Sequence, residues 1–116
     1  MKTLKDLINE AHELIPRVTC KELSENLGEF FIVDVREGSE VMESGIIEGA
    51  TNIPRGLLEF KMVPNSDTLP THTPILVYCG GGSRAALAGK TLKGLGFTNV
   101  KNLEGGFRGW KESSSS

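Results

Sequence analysis

The sequence predicts an α/β domain with a mainly parallel sheet, and three observations carry that prediction. Two apolar runs, "FFIVDV" (Phe30 to Val35) and "PILVYC" (Pro74 to Cys79), have the continuous hydrophobicity of strands buried on both faces. Residues 83 to 94 read as a helix placed between the second run and a further strand-like segment, "TNVKNL" (Thr98 to Leu103). Helical segments alternating with short apolar strands are the pattern of crossover connections in a parallel sheet.

Taken in chain order, residues 3 to 15 predict an amphipathic helix. Leu4, Leu7, Ile8, Ala11, Leu14 and Ile15 follow the three/four spacing of one apolar face. Thr3 and Asp6 have the spacing of an N-capping pair, and Pro16 ends the segment. A helix packed on the domain's own core is favoured over a partner-binding helix. A second helix is predicted from Cys20 to Leu27, capped by Thr19 and Glu22 and stopped by Gly28. "ATNIP" (Ala50 to Pro54) is a short strand closed by proline. The stretch 55 to 73 has no clean period, and a short helix from Gly56 to Phe60 followed by a loop is expected. The Ala-rich segment from Ser83 ends at Gly94 and Gly96. The organisation expected is a leading helix over residues 1–16, one domain over 17–111, and a polar tail over 112–116 that is disordered or non-native.

Composition narrows the function classes. The chain has 116 residues, 38% hydrophobic and 24% charged, with a formal net charge of -2. One domain of this size buries a core without metal or disulfide. The charge balance gives no footprint for nucleic acid or an anionic membrane. No apolar run approaches a membrane span, and Asp6 and Glu10 interrupt any signal-peptide pattern, so the chain reads as cytoplasmic. The two cysteines, Cys20 and Cys79, lack C-x-x-C partners, and there are two histidines, His12 and His72. A metal site is not expected. Cys20 falls in the first turn of a helix and is assigned a structural role.

"CGGGSR" concentrates the chemistry. Cys79 ends a predicted strand just before a helix, and ligands in open parallel sheets gather beyond the strands' carboxyl ends. Gly80, Gly81 and Gly82 let successive backbone N–H groups turn inward as an anion-binding nest, and the helix adds its positive end. Both effects favour an anionic, nucleophilic sulfur. Ser83 adds a donor. Arg84 supplies a fixed positive charge or ties the loop to a carboxylate. Taken alone, the loop also fits a flexible turn beside a buried core thiol.

Four segments in order, "FFIVDVRE", "GIIEGATNIP", "PILVYCGGGSRA" and "LEGGFRGW", closely resemble the single-domain rhodanese (sulfurtransferase) family. "IPRGLLEF" is similar to a bacterial subgroup with a leading helix. The resemblance spans residues 17 to 111. It implies a three-layer α/β/α domain in which Cys79 takes a sulfane sulfur from a donor such as thiosulfate. The resulting cysteine persulfide passes that sulfur to a thiol or cyanide, with no cofactor. Thioredoxin, glutathione persulfide or a sulfur-carrier protein are candidate partners, and a monomer is expected. By the same resemblance Asp34 and Arg36 are structural near the site, Glu104 lies on its rim, and Arg55 and Lys61 are candidate thiosulfate contacts. Four residues separate Cys79 from Arg84, as in sulfur-transferring members, whereas related phosphatases have five. A non-catalytic binding module and a phosphatase or arsenate reductase are the alternatives. Two departures stand out: Ile46 replaces a frequent histidine, and Ser83 stands where the subgroup carries a bulky aromatic.

Overall fold

The computed structural model describes residues 1–114. Its elements in chain order are α1 (Leu4–Leu14), β1 (Arg17–Val18), α2 (Cys20–Glu25), β2 (Phe31–Asp34), α3 (Gly38–Ser44), β3 (Thr51–Asn52), α4 (Leu58–Lys61), β4 (Ile75–Tyr78), α5 (Ser83–Gly94), β5 (Val100–Leu103) and α6 (Gly106–Ser114). Single 3-10 turns cover Leu27–Glu29 and Arg55–Leu57. The five strands form one sheet in the order β1-β5-β4-β2-β3, and every pairing is parallel. Helices cover both faces, which gives the three-layer α/β/α arrangement.

β4 is the centre of the sheet, and its alternation sorts the two cores. Ile75, Val77 and then Cys79 face a cluster with Ile15, Val33, Val35, Leu92, Phe97 and Val100. Leu76 and Tyr78 face the other cluster, with Val18, Leu23, Ile32, Ile47, Leu103 and Phe107. Successive side chains of a strand point to opposite faces, so Cys79 emerges on the α5 side. Burying each large aliphatic side chain contributes about 1.5–3 kcal/mol, which favours a strand apolar on both faces over an alternating one.

Both capping boxes expected from the sequence are present: Thr3 with Asp6 and Thr19 with Glu22. α1 differs from its expected apolar face. Ala11 and Ile15 are fully buried, but Leu4 is 65% exposed and Leu7 and Leu14 are also exposed. The helix meets the domain along a narrow seam against α5, through Ala11 and the adjoining Ile15. A Cβ built on Gly89 would lie 3.1 Å from two carbons of Ile15.

Three elements were not anticipated. β1 is two residues long, below the length at which a pattern shows. α3 has no buried residue and is set by a Glu37–Glu40 capping box and by Gly45 at φ 89°. α6 runs to Ser114, so Glu112, Ser113 and Ser114 belong to a helix and not to a disordered tail. Ser115 and Ser116, the rest of the expected tail, lie outside the described residues. Phe107 and Trp110, one helical turn apart, pack α6 on the second core, and this apolar pair stabilises the helix where the polar tail does not. Among the described residues, no helix is long and apolar enough to cross a membrane.

The Ile15–Gly89 contact generates a test. Gly89→Leu forces side-chain volume into that approach and should destabilise the protein by about 1–3 kcal/mol. Urea unfolding would read this as a lower midpoint, and an unchanged midpoint would show that α1 can lift away without cost.

Candidate active site

β4 ends at Tyr78, and the chain passes through Cys79 and three glycines into α5. Gly82 holds φ 115°, a backbone conformation that favours glycine, and serves as the N-cap of α5. This turn folds the loop back over the sulfur. The Cys79 Sγ, in a residue only 1% exposed, accepts hydrogen bonds from the Gly82 N–H at 3.0 Å and the Ala85 N–H at 3.3 Å. The N–H groups of Gly80, Gly81, Ser83 and Arg84 have no acceptor among the described residues. A Cβ on Gly81 would meet nothing within 4 Å, so the loop's crest faces open space. The result is a sulfur beneath a cluster of backbone donors at the positive end of a 12-residue helix.

The loop's carbonyls are held from the other side. The Phe107 and Arg108 N–H groups, at the start of α6, donate to the Cys79 and Gly80 carbonyls at 2.7 and 3.1 Å. This docking requires Gly106. Its φ is 59°, and a Cβ there would lie 2.6 Å from the Cys79 carbonyl oxygen and 2.7 Å from that of Gly80. The "EGGF" turn therefore forms one wall of the site through its backbone.

Arg84 pairs with Glu40 of α3 in a two-pronged contact, Nη1 to Oε1 at 2.8 Å and Nη2 to Oε2 at 2.9 Å. Of the two roles expected for Arg84, this is the tie to a carboxylate. The Arg84 hydrogen bonds draw the Glu40 carboxyl down to about 2, and they raise the arginine in turn. α3 is fixed by Arg36, which donates to Ser44 Oγ and the Gly45 carbonyl, both at 2.7 Å. Arg36 forms its ion pair with Asp34 at 2.6 Å, and the two residues are 2% and 0% exposed. The guanidinium lies 4.2 Å from the centre of the Phe107 ring, within cation–π range. Burial works against the charge on Arg36, but the Asp34 hydrogen bonds and charge outweigh it and leave the group raised. Burial, reinforced by the hydrogen bond and charge of Asp34, also pushes the Tyr78 phenol up, although its oxygen accepts the Ile47 N–H.

The contacts of the other sequence-predicted residues lie with residues outside the active loop. The structure does not bring Arg55 to the loop. Its guanidinium reaches Thr91 at 2.8 Å and Glu59 at 3.3 Å. Thr91 sits about 12 Å along α5 from Ser83, at 1.5 Å per residue. Lys61 lines a groove of about 300 Å³ with Thr51, Asn52, Ile53, Pro54 and Leu57, none of them from the active loop. Glu104 is exposed, and its charge acts on Cys20, which reinforces the upward push that burial gives that thiol. The Cys20 Sγ lies 3.7 Å from the Glu104 carbonyl, consistent with a structural thiol. Glu40, the Ala85 N–H and Asn102, whose Nδ2 donates to the Gly82 carbonyl at 3.2 Å, were not anticipated. A signal for Asn102 was present: it shares the core-facing parity of Val100, two residues before it in β5.

Two outcomes follow from this geometry. Gly106→Ala should destabilise the fold by roughly 3 kcal/mol, because both backbone conformation and space are wrong for a methyl group. Thermal unfolding would show it, and a variant as stable as the parent would refute the close docking. Glu40 is held below its ordinary 4.5, at about 2, so its contribution is present above about 4.5 and is lost as pH falls toward 2. The pair is half-exposed, so the contribution should stay below about 1 kcal/mol. The urea midpoints of the parent and Glu40→Gln should differ at pH 7 and converge by pH 2.

A comparison with known proteins gives this constellation its family. The rhodanese-like domain model matches residues 19–113, which include the loop, Asp34, Arg36 and the α6 turn. The chain is 40% identical over 79 residues to the uncharacterized protein YqhL of Bacillus subtilis (strain 168), covering 68% of this chain and 59% of that protein. It is 32% identical to the thiosulfate sulfurtransferase GlpE of Pseudomonas entomophila (strain L48), over 71% of each chain. Among solved structures, it superposes with a TM-score of 0.86 and 31% identity on RPA3614 of Rhodopseudomonas palustris CGA009, covering 98% of this chain and 92% of that one. RPA3614 is described as a protein of unknown function and possible tyrosine phosphatase. With the matched region spanning both cores and the cysteine loop, the chain belongs to the rhodanese-like domain family, a family with sulfurtransferase members, and carries its three-layer α/β/α fold.

Proposed function

We propose that the chain is a sulfurtransferase that carries a sulfane sulfur as a persulfide on Cys79. The observation that carries this reading is the sulfur held by the Gly82 and Ala85 N–H groups, in a loop with four further N–H groups that have no acceptor among the described residues. Such donors stabilise negative charge where it accumulates. Arg84 is committed to Glu40, so backbone dipoles and the α5 N-terminus provide the anion recognition.

In the first half-reaction the Cys79 thiolate attacks the outer sulfur of a donor such as thiosulfate. A new S–S bond forms to Cys79 as the donor's own S–S bond breaks, and sulfite departs with that electron pair. The persulfide's terminal sulfur carries the negative charge, and the open N–H groups of Gly80, Gly81, Ser83 and Arg84 are available to it. In the second half-reaction a thiol or cyanide attacks that terminal sulfur. The Cys79 S–S bond breaks, the electron pair returns to Cys79 as thiolate, and a new persulfide or thiocyanate leaves. The reaction moves sulfur between nucleophiles with no net oxidation, and no cofactor enters the scheme.

The small side chains from Gly80 to Ser83 select little, which suits an acceptor thiol on a small molecule, thioredoxin or a sulfur-carrier protein equally. The same fold can serve phosphoester chemistry. The loop has four residues between Cys79 and Arg84, one fewer than the related phosphatases, and this narrower cradle favours sulfur.

Incubation with thiosulfate should add one sulfur atom to the intact mass, and cyanide should remove it as thiocyanate. Cys79→Ser should abolish the gain. No sulfur gain from thiosulfate or from glutathione persulfide would overturn the reading. Cys79-dependent hydrolysis of an aryl phosphate in that case would assign the loop to phosphoryl chemistry instead.

A further inference from the structure

We infer that Asn102 is a positioning residue for the active loop: its amide, donated from β5 to the Gly82 carbonyl, sets the donors of that turn on the Cys79 sulfur. The inference rests on Cys79 acting as the nucleophile, but not on the identity of its sulfur donor.

The geometry is direct. Gly82 is the residue whose N–H reaches the sulfur at 3.0 Å, and its own carbonyl accepts the Asn102 Nδ2 at 3.2 Å and the Ala86 N–H at 3.0 Å. The two peptide planes that meet at its Cα are therefore fixed from opposite sides, one by sulfur and one by Asn102. Because a trans peptide points its N–H and C=O in opposite directions, holding the Gly82 carbonyl also directs the Ser83 N–H away from Asn102. Three consecutive glycines have the least restricted backbone available to a chain. Among the described residues, Asn102 is the only side chain outside the loop that hydrogen-bonds to the loop backbone.

A second observation separates positioning from mere packing. Asn102 is 1% exposed, and its Oδ1 is buried with no hydrogen-bond partner among the described residues. An orphaned buried acceptor is destabilising. The register places Asn102 beside Val77 of β4, on the same face as Val100, where an aliphatic side chain would leave no unsatisfied atom. Fold stability alone therefore favours a hydrophobic residue here. Among the described residues the side-chain amide bonds to the loop alone, so its role lies there. Breaches of packing logic of this kind concentrate at functional sites.

The test uses Asn102→Leu and Asn102→Val in the full chain. Three quantities are read: the urea midpoint, the amide hydrogen exchange of Gly82 and Ala85, and the rate of iodoacetamide alkylation at Cys79 by peptide mass at fixed pH. Both variants should keep or raise the urea midpoint, since the orphaned oxygen is gone. Exchange should quicken at Gly82 and Ala85 while β4 and β5 amides keep their protection. Alkylation at Cys79 should slow by roughly threefold to tenfold, as expected when hydrogen bonds to an anion weaken. A marked drop in midpoint for both variants would make Asn102 a structural residue and overturn the inference. Unchanged Gly82 exchange with unchanged alkylation would overturn it equally. Alkylation needs no sulfur donor, so these outcomes are independent of whether the parent gains sulfur from thiosulfate.

Discussion

The buried Asp34–Arg36 ion pair is the contact on which the arrangement of the site depends. An ion pair withdrawn from water is costly unless its remaining donors and acceptors are met. Here they are met, and each bond fixes another element. The guanidinium reaches the end of α3 through Ser44 and Gly45 and lies against the Phe107 ring of α6. The backbone carbonyls of Asp34 and Arg36 accept the Asn52 amide at 3.0 and 2.9 Å, which secures β3. α3 then presents Glu40 to Arg84, and α6 presents its N–H groups to the loop carbonyls. The pair lies outside the loop, yet it places both of the helices that hold the loop.

The loop itself depends on a sorting of peptide dipoles. Carbonyls of Cys79 and Gly80 turn toward α6, and that of Gly82 toward Asn102 and α5. The N–H groups opposing these carbonyls, those of Gly80, Gly81 and Ser83, point away from those anchors, while the Gly82 and Ala85 N–H groups reach the sulfur. The sulfur's immediate hydrogen-bond partners are thus backbone groups, and side chains act at one remove by anchoring carbonyls.

The sequence exposed the strands, the main helices and the cysteine loop for clear physical reasons. β4 is apolar on both faces, α5 begins after a run of glycines, and the capping pairs Thr3/Asp6 and Thr19/Glu22 have a fixed spacing that needs no tertiary information. α3 was hidden because it buries nothing and owes its place to Arg36 and Arg84. α6 was hidden because Gly109 and a serine tail depress its local preference, while Phe107 and Trp110 hold it from the core. Arg55, a candidate substrate contact by resemblance, turns to Thr91, because position in the sequence says nothing about the direction of a long side chain. Thr91, its partner, is 36 residues away. Glu40 as the counter-ion of Arg84, 44 residues distant, was invisible for the same reason.

The open space around Gly81 carries a consequence for how this scaffold can diversify. Its φ is not in the left-handed region, and a Cβ there would touch nothing. Because the sulfur's hydrogen bonds come from main-chain groups, a side chain at this crest could vary without removing them. Recognition and chemistry are thereby separable traits. A lineage could change what meets this crest by editing a single codon, with the hydrogen bonds on the Cys79 sulfur inherited intact.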